Sequence, residues 1–279
     1  MNNQAERYYP TILQAVHLVI LYIFIQTVVD FPLALIDYYK DTEYLYHPIK
    51  KIVVGIGSNL FILLYGIHRA KAPINKIFPV RYFNPLVLIP VALFFWGSHN
   101  ILDEVNLLVE KFIPSPPWFW ELFNKIFEND YGWWGAFFKV SVIAPVVEES
   151  IFRGLILHGL QKNYNRATAI FMSALLFSLF HLNPWQIPAT FVLGLLLGWI
   201  MIRSRNILLA VIVHSINNFM VLMNVKYWNK INTHAIYLME AKEKIMLSTF
   251  VILLSLILIY WLTLQRKARS KKTVQAENF

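Results

Sequence analysis

Eight stretches of this sequence are apolar over roughly the length a helix needs to cross about 30 Å of hydrocarbon at about 1.5 Å per residue. They fall at residues 11–29, 52–67, 85–102, 134–160, 167–183, 186–202, 207–223 and 245–264. Spaced this closely, they leave little chain from which to build a water-soluble core. Inside hydrocarbon every backbone N–H and C=O has to be paired within the protein, and a helix achieves this within one segment. The expected fold class is therefore all-α, a polytopic membrane helical bundle of about eight transmembrane helices. Residues 1–279 are expected to form a single integral membrane domain. A composition that is 57% hydrophobic points the same way.

The net charge of +9 has two readings, a nucleic-acid surface or basic residues held in cytoplasmic loops, and the apolar pattern favours the second. No nucleic-acid partner is expected; the lipid bilayer is. If both termini are cytoplasmic, Arg69, Lys71, Lys76, Arg81, Lys162, Arg166, Arg203 and Arg205 fall on the inside. So does a basic cytoplasmic tail at residues 265–279, and together these outweigh the lysines of the outer segments. An even number of crossings agrees. The absence of cysteine excludes disulfides, thiol nucleophiles and cysteine-ligated metal. The polar start, MNNQAERYYP, lacks the basic-then-apolar pattern of a signal peptide. The long segment after the third stretch, with Trp118, Trp120, Glu121, Glu128, Asp130 and Trp133, is expected to anchor at the outer interface. There is no repeat, no Gly-rich phosphate loop and no second domain.

One stretch breaks the apolar rule. Within the fourth, Glu148, Glu149 and Arg153 occur together, and a charge at the centre of a membrane helix costs about 2.5–3.5 kcal/mol even on lenient scales. Glu149 and Arg153, four apart, share a face and are expected to pair. Glu148 lies about 100° round the helix from Glu149, so the two carboxylates need not do the same work. The fifth stretch places Phe177 and His181 one turn apart, and the seventh does the same for His214 and Asn218. At about 1.5 Å per residue, the depths of Glu148, His181 and His214 are compatible with one cavity near mid-membrane.

A carboxylate, two imidazoles and an amide suit hydrolysis. Glu148 serves as general base toward water, one histidine holds that water, and the other with the asparagine donates to the developing oxyanion. A serine nucleophile is disfavoured, because Ser150 has no evident base and Ser215 points away from the face of His214. A zinc set of Glu148, His181 and His214 is the sharper rival, although no HExxH helix is present. His17, His99 and His158 are read as interhelical hydrogen-bond partners. Asn59, Asp30 and Lys139 are read as helix-contact or span-end residues.

In this order and spacing, Glu148-Glu149-Ser150-Ile151-Phe152-Arg153, Phe177 to His181 and His214 to Asn218 resemble the CPBP family. This is the group of CAAX prenyl proteases and bacteriocin-processing enzymes, also called Abi or type II CAAX endopeptidase-like proteases. The resemblance covers a catalytic core at residues 135–223. It implies an eight-helix intramembrane endopeptidase with Glu148 as base, His181 orienting water, and His214 and Asn218 at the oxyanion site. Glu149 and Arg153 then play the supporting parts. Members are often labelled metalloproteases, so zinc stays open beside a reading in which no cofactor is required. The implied substrate is a peptide or membrane-associated protein, and the implied location a bacterial plasma membrane. A non-catalytic immunity factor, scaffold or transporter is the alternative from another class. Oligomeric state is not legible.

Overall fold

The computed structural model describes residues 8–42, 48–117, 132–231 and 239–276. Helix α1 (Ile12–Lys40) opens on a capping box, in which Thr11 Oγ1 accepts from Gln14 N and Gln14 Oε1 accepts from Thr11 N. Helix α2 (Pro48–Ala70) follows, and a single turn (Ile74–Ile77) leads to α3 (Leu88–Phe112). Helix α4 occupies residues 132–163 and alternates α and π geometry along its length. Then come α5 (Arg166–Phe180), α6 (Ile187–Ser204), α7 (Ile207–Ile231) and α8 (Ala241–Ala276). Asparagines start two of these helices: Asn165 accepts from Thr168 N, and Asn206 accepts from Leu208 N.

Among the described residues five helices are long and apolar enough to cross a bilayer. They are α1, α3 with its leading turn (Pro85–Phe112), α6, α7 over Ile207–Tyr227, and α8 over Ala241–Thr263. Among the described residues the all-α expectation holds, and the long apolar helices are those of an integral, multi-pass membrane protein. Helices α2, α4 and α5 lie at the other three apolar stretches, but α5, with 15 residues, is shorter than those five. Lipid-facing side chains stay exposed, as on α1 (Leu13, Ile20, Phe24, Val28) and α8 (Phe250, Leu253, Ile257, Trp261). The core is the seam where α1, α4, α5, α6 and α7 meet, filled by Leu18, Phe152, Phe177, Leu197 and Val213.

Small residues set the closest approaches. A Cβ on Gly194 of α6 would come within 2.9 Å of Ala174 Cα on α5, and one on Gly97 of α3 within 2.9 Å of the Ser248 carbonyl on α8. Glycine at these two positions lets the backbones meet. The tryptophan-rich anchor expected at Trp118, Trp120, Glu121, Glu128 and Asp130 lies outside the described residues. Helix α8 carries the basic tail as continued helical backbone as far as Ala276.

Candidate active site

Helix α4 is disturbed where the sequence puts a proline in mid-helix. Pro145 has no N–H and its ring crowds the preceding turn. The helix widens just before it, over Lys139–Ile143, where Ala144 N bonds to Lys139 O instead of Val140 O. In that wider register the partner of Val140 O would be the nitrogen of Pro145, which cannot donate. Asn218 of α7 supplies the missing donor, its Nδ2 reaching Val140 O at 2.9 Å. A short α segment, Ala144–Glu149, then ends at the two glutamates, and a second π stretch, Ser150–Ile156, carries Arg153. Interruptions of this kind recur at functional sites because they re-aim side chains.

The expected Glu149–Arg153 pair forms. Arg153 Nη1 donates to Glu149 Oε1 at 2.9 Å, and both side chains are 0% exposed. Arg153 Nη2 reaches across to the Gly194 carbonyl of α6 at 3.3 Å, and the guanidinium lies 4.4 Å from the centre of the Phe177 ring. Glu149 Oε1 is also shared with His214 Nδ1 at 2.8 Å. A carboxylate ion-paired with arginine accepts only, so Nδ1 carries the hydrogen and Nε2 is the nitrogen that faces away. It faces Glu148, whose Oε2 stands 3.8 Å from His214 Nε2. That gap is beyond a direct hydrogen bond and suits a bridging water. The adjacent glutamates thus differ as their helical phase predicted: Glu149 is sealed, while Glu148 is 19% exposed.

His181 sits differently from the expectation. It lies just past the end of α5 as its C-cap, not inside the helix, and its Nδ1 bonds to Phe177 O at 2.8 Å. A carbonyl accepts, so Nε2 is again the nitrogen left to act. Phe177 stands between the two histidines, its ring centre 5.0 Å from that of His181 and 5.7 Å from that of His214, both edge to face. The three motifs therefore converge on one aromatic ring. Asn218, besides its bond to Val140 O, accepts from Asn217 Nδ2 at 3.1 Å; Asn217 Oδ1 meets His99 Nε2 at 3.2 Å. That contact is the interhelical role expected of His99.

Ser150 donates to Val146 O of its own helix at 2.7 Å, a structural use of its hydroxyl. Among the described residues no group of three or more His, Asp or Glu side chains is arranged to hold a metal ion. Two contributors were not foreseen. Tyr22 of α1, buried in mid-membrane, stacks on Phe180 at 4.7 Å, donates to Asn59 Oδ1 and lies within electrostatic range of Glu148. Its only sequence signal was a tyrosine far from the interfaces where that residue usually sits. Gly194, whose carbonyl receives Arg153, had a clearer one, the spacing Gly194 to Gly198 within an apolar helix.

Residues 130–220 match the family model described as type II CAAX prenyl endopeptidase Rce1-like. The similarity runs from the start of α4 into α7, about a third of the chain. The family model is named for endopeptidases. Searches of curated proteins and of solved structures found no match.

Proposed function

We propose that this protein is an intramembrane endopeptidase in which Glu148 takes the proton from a water molecule that attacks the scissile carbonyl. The observation that carries this reading is the aim of His214. Its Nδ1 is fixed by Glu149, itself fixed by Arg153, and its Nε2 is left 3.8 Å from Glu148 Oε2. Catalytic side chains work when their own orientations are locked by the groups behind them. His181 Nε2 orients the attacking water. His214 enters the reaction as the imidazolium and keeps its Nε2 proton throughout, donating it as a hydrogen bond to the developing oxyanion with the second amide hydrogen of Asn218 beside it. The proton held by Glu148 then passes to the departing amine, and no covalent intermediate is needed.

The proposed mechanism uses no metal; a zinc centre built from Glu148, His181 and His214 is the alternative that the chelator tests. The chain crosses the membrane eight times with both termini cytoplasmic, a topology supported by the apolar stretches and the distribution of Lys and Arg. The bacterial plasma membrane suits it.

The test is cleavage of a membrane-peptide library by purified protein in lipid, wild type beside Glu148→Gln, with and without a strong chelator. Glu148→Gln is expected to lower the rate by about 10²- to 10⁴-fold, the usual worth of a general base. Its melting temperature should stay that of the wild type, and the chelator should leave the wild-type rate unchanged. Full activity in Glu148→Gln would sink the assignment; loss of activity to the chelator would move the chemistry to a metal.

A further inference from the structure

Helices α1 and α5 start from the same level. Tyr8 N donates to Asn163 Oδ1 at 3.1 Å and Ile12 N to Tyr164 Oη at 3.3 Å, both at the turn that begins α5. From that common start α5 stops at Phe180 while α1 continues to Lys40. Past the stop α1 loses this neighbour, and a groove of about 350 Å³ opens, lined by Ile23, Gln26, Asp30, Phe31, Phe180 and Leu182 among others. Phe180 and Leu182 flank His181 in the chain, and the Phe180 and His181 ring centres are 6.2 Å apart. The inner end of the groove is thus the peptide that carries a proposed catalytic histidine.

Asp30 is the residue that the protease reading leaves unused. It is exposed on α1, it lines the groove, and it has no ion-pair or hydrogen-bond partner among the described residues. It stands where the apolar stretch of residues 11–29 ends, so its carboxylate stays hydrated and open to a basic partner. At about 1.5 Å per residue Asp30 lies roughly 6 Å beyond Gln26 and 12 Å beyond Tyr22 along α1. An extended peptide covers about 3.3 Å per residue, so Asp30 meets it two to four residues from the inner end.

We propose that the groove holds an extended substrate segment and that Asp30 selects a lysine or arginine two to four residues from the scissile bond. The proposal rests on the protease reading and gives its substrate a chemical class. Charge decides the occupant. An acid here repels the phosphate of a lipid headgroup, whereas a basic side chain lays its apolar stem along Ile23, Phe31 and Leu182 and delivers its charge to Asp30.

The experiment uses the full-length protein in phosphatidylcholine nanodiscs and labelled apolar peptides of about 20 residues, long enough to span the bilayer. Each peptide carries one Lys, Gln or Glu, moved residue by residue on both sides of the cleaved bond. The readout is the Lys-to-Glu ratio of kcat/KM within each protein, which does not depend on the fraction folded. Wild type should favour Lys about tenfold at one of the positions two to four residues out, the scale of one well-placed charge pair. Asp30→Asn should level that ratio, and Asp30→Lys should invert it. A wild-type ratio near one, or the same ratio in all three proteins, overturns the proposal. Binding of the same peptides to Glu148→Gln protein, read by fluorescence anisotropy with and without Asp30→Lys, separates the two readings. Charge-selective binding that follows Asp30, with no cleavage by wild type, defeats the protease and keeps the groove. Cleavage indifferent to Asp30 defeats the groove and keeps the protease.

Discussion

Helices α4 to α7 and the surrounding helices α1, α2, α3 and α8 both bury polar groups, and they do it in different ways. In the outer set the bonded groups form isolated pairs: Tyr22 on Asn59, Asn100 Nδ2 on the Trp96 carbonyl at 3.0 Å, Lys244 on Glu104, while Asn106 Oδ1, Ser248 Oγ and Ser255 Oγ stay buried without a partner. Two of these pairs join neighbouring helices, α1 to α2 and α3 to α8, and none of the three is linked to another. The inner set is a chain, Gly194 to Arg153 to Glu149 to His214, which stops one gap short of Glu148. It also leaves buried atoms without partners, Glu149 Oε2 and Arg153 Nε. A linked network of buried polar groups orders its members more strongly than isolated pairs do. The family match falls on the inner set, and the proposed catalysis assigns the two regions different tasks as well as different bonding.

The comparison is broken most severely at Arg153. Arg153→Ala leaves Glu149 sealed without its cation, and removing one member of a buried pair costs about 3–5 kcal/mol. A large fall in thermal stability in detergent is expected, together with loss of cleavage, because His214 is no longer aimed. Arg153→Lys should recover only part of the stability, since an ammonium does not offer two planar donors to Glu149 and Gly194 at once. Unchanged melting of the alanine variant would mean that the inner chain is not what holds α4 to α6.

Gly194→Ala tests the same chain without touching a charge. The added methyl meets Ala174 at 2.9 Å, so α5 and α6 must separate slightly, an overpacking cost of about 1–3 kcal/mol. The Gly194 carbonyl then moves relative to Arg153. Cleavage should fall by more than the stability loss explains at temperatures where the variant remains folded. A variant that melts lower but keeps its kcat/KM would show that aiming does not pass through this carbonyl.

The positions of the helices were legible because burial in lipid is written as continuous apolar sequence; their ends were less so. α1 was expected to end near residue 29 yet runs through Pro32 to Lys40, and α8 extends past residue 264 to Ala276. Hydropathy marks where a helix leaves hydrocarbon, not where its hydrogen bonds stop. The opposite error moved His181 out of its helix. The apolar run to residue 183 hid the stop, although Asn183 and Pro184 announced it: a residue before proline is pushed away from helical geometry. Asn183 Oδ1 duly takes Trp185 N in a turn, and Leu182 has φ of 50°. The Glu149–Arg153 pair was legible because i,i+4 spacing survives even at the edge of a π stretch. The bond from His214 to Glu149 was not, because sequence spacing carries no information about which faces of two separate helices meet. Asn218 shows the same limit, since its partner Val140 O is left over only because Pro145 shifts the register.

The smallest expected effect lies in the outer set, at the ion pair between Lys244 of α8 and Glu104 of α3. Their side chains are 12% and 24% exposed, so solvent can reach the partner when one is removed. An ion pair this accessible contributes about 0.2–1 kcal/mol, far less than a sealed one. Lys244→Met keeps most of the apolar stem against α3 while deleting the charge, which leaves Glu104 to be hydrated. Melting in detergent should fall slightly, that fall should shrink further in high salt, and kcat/KM should stay at the wild-type value. If this variant lost cleavage as Arg153→Ala is expected to, closed pairs would be carrying catalysis too, and the division between the two sets of helices would have to be redrawn with α3 and α8 on the catalytic side.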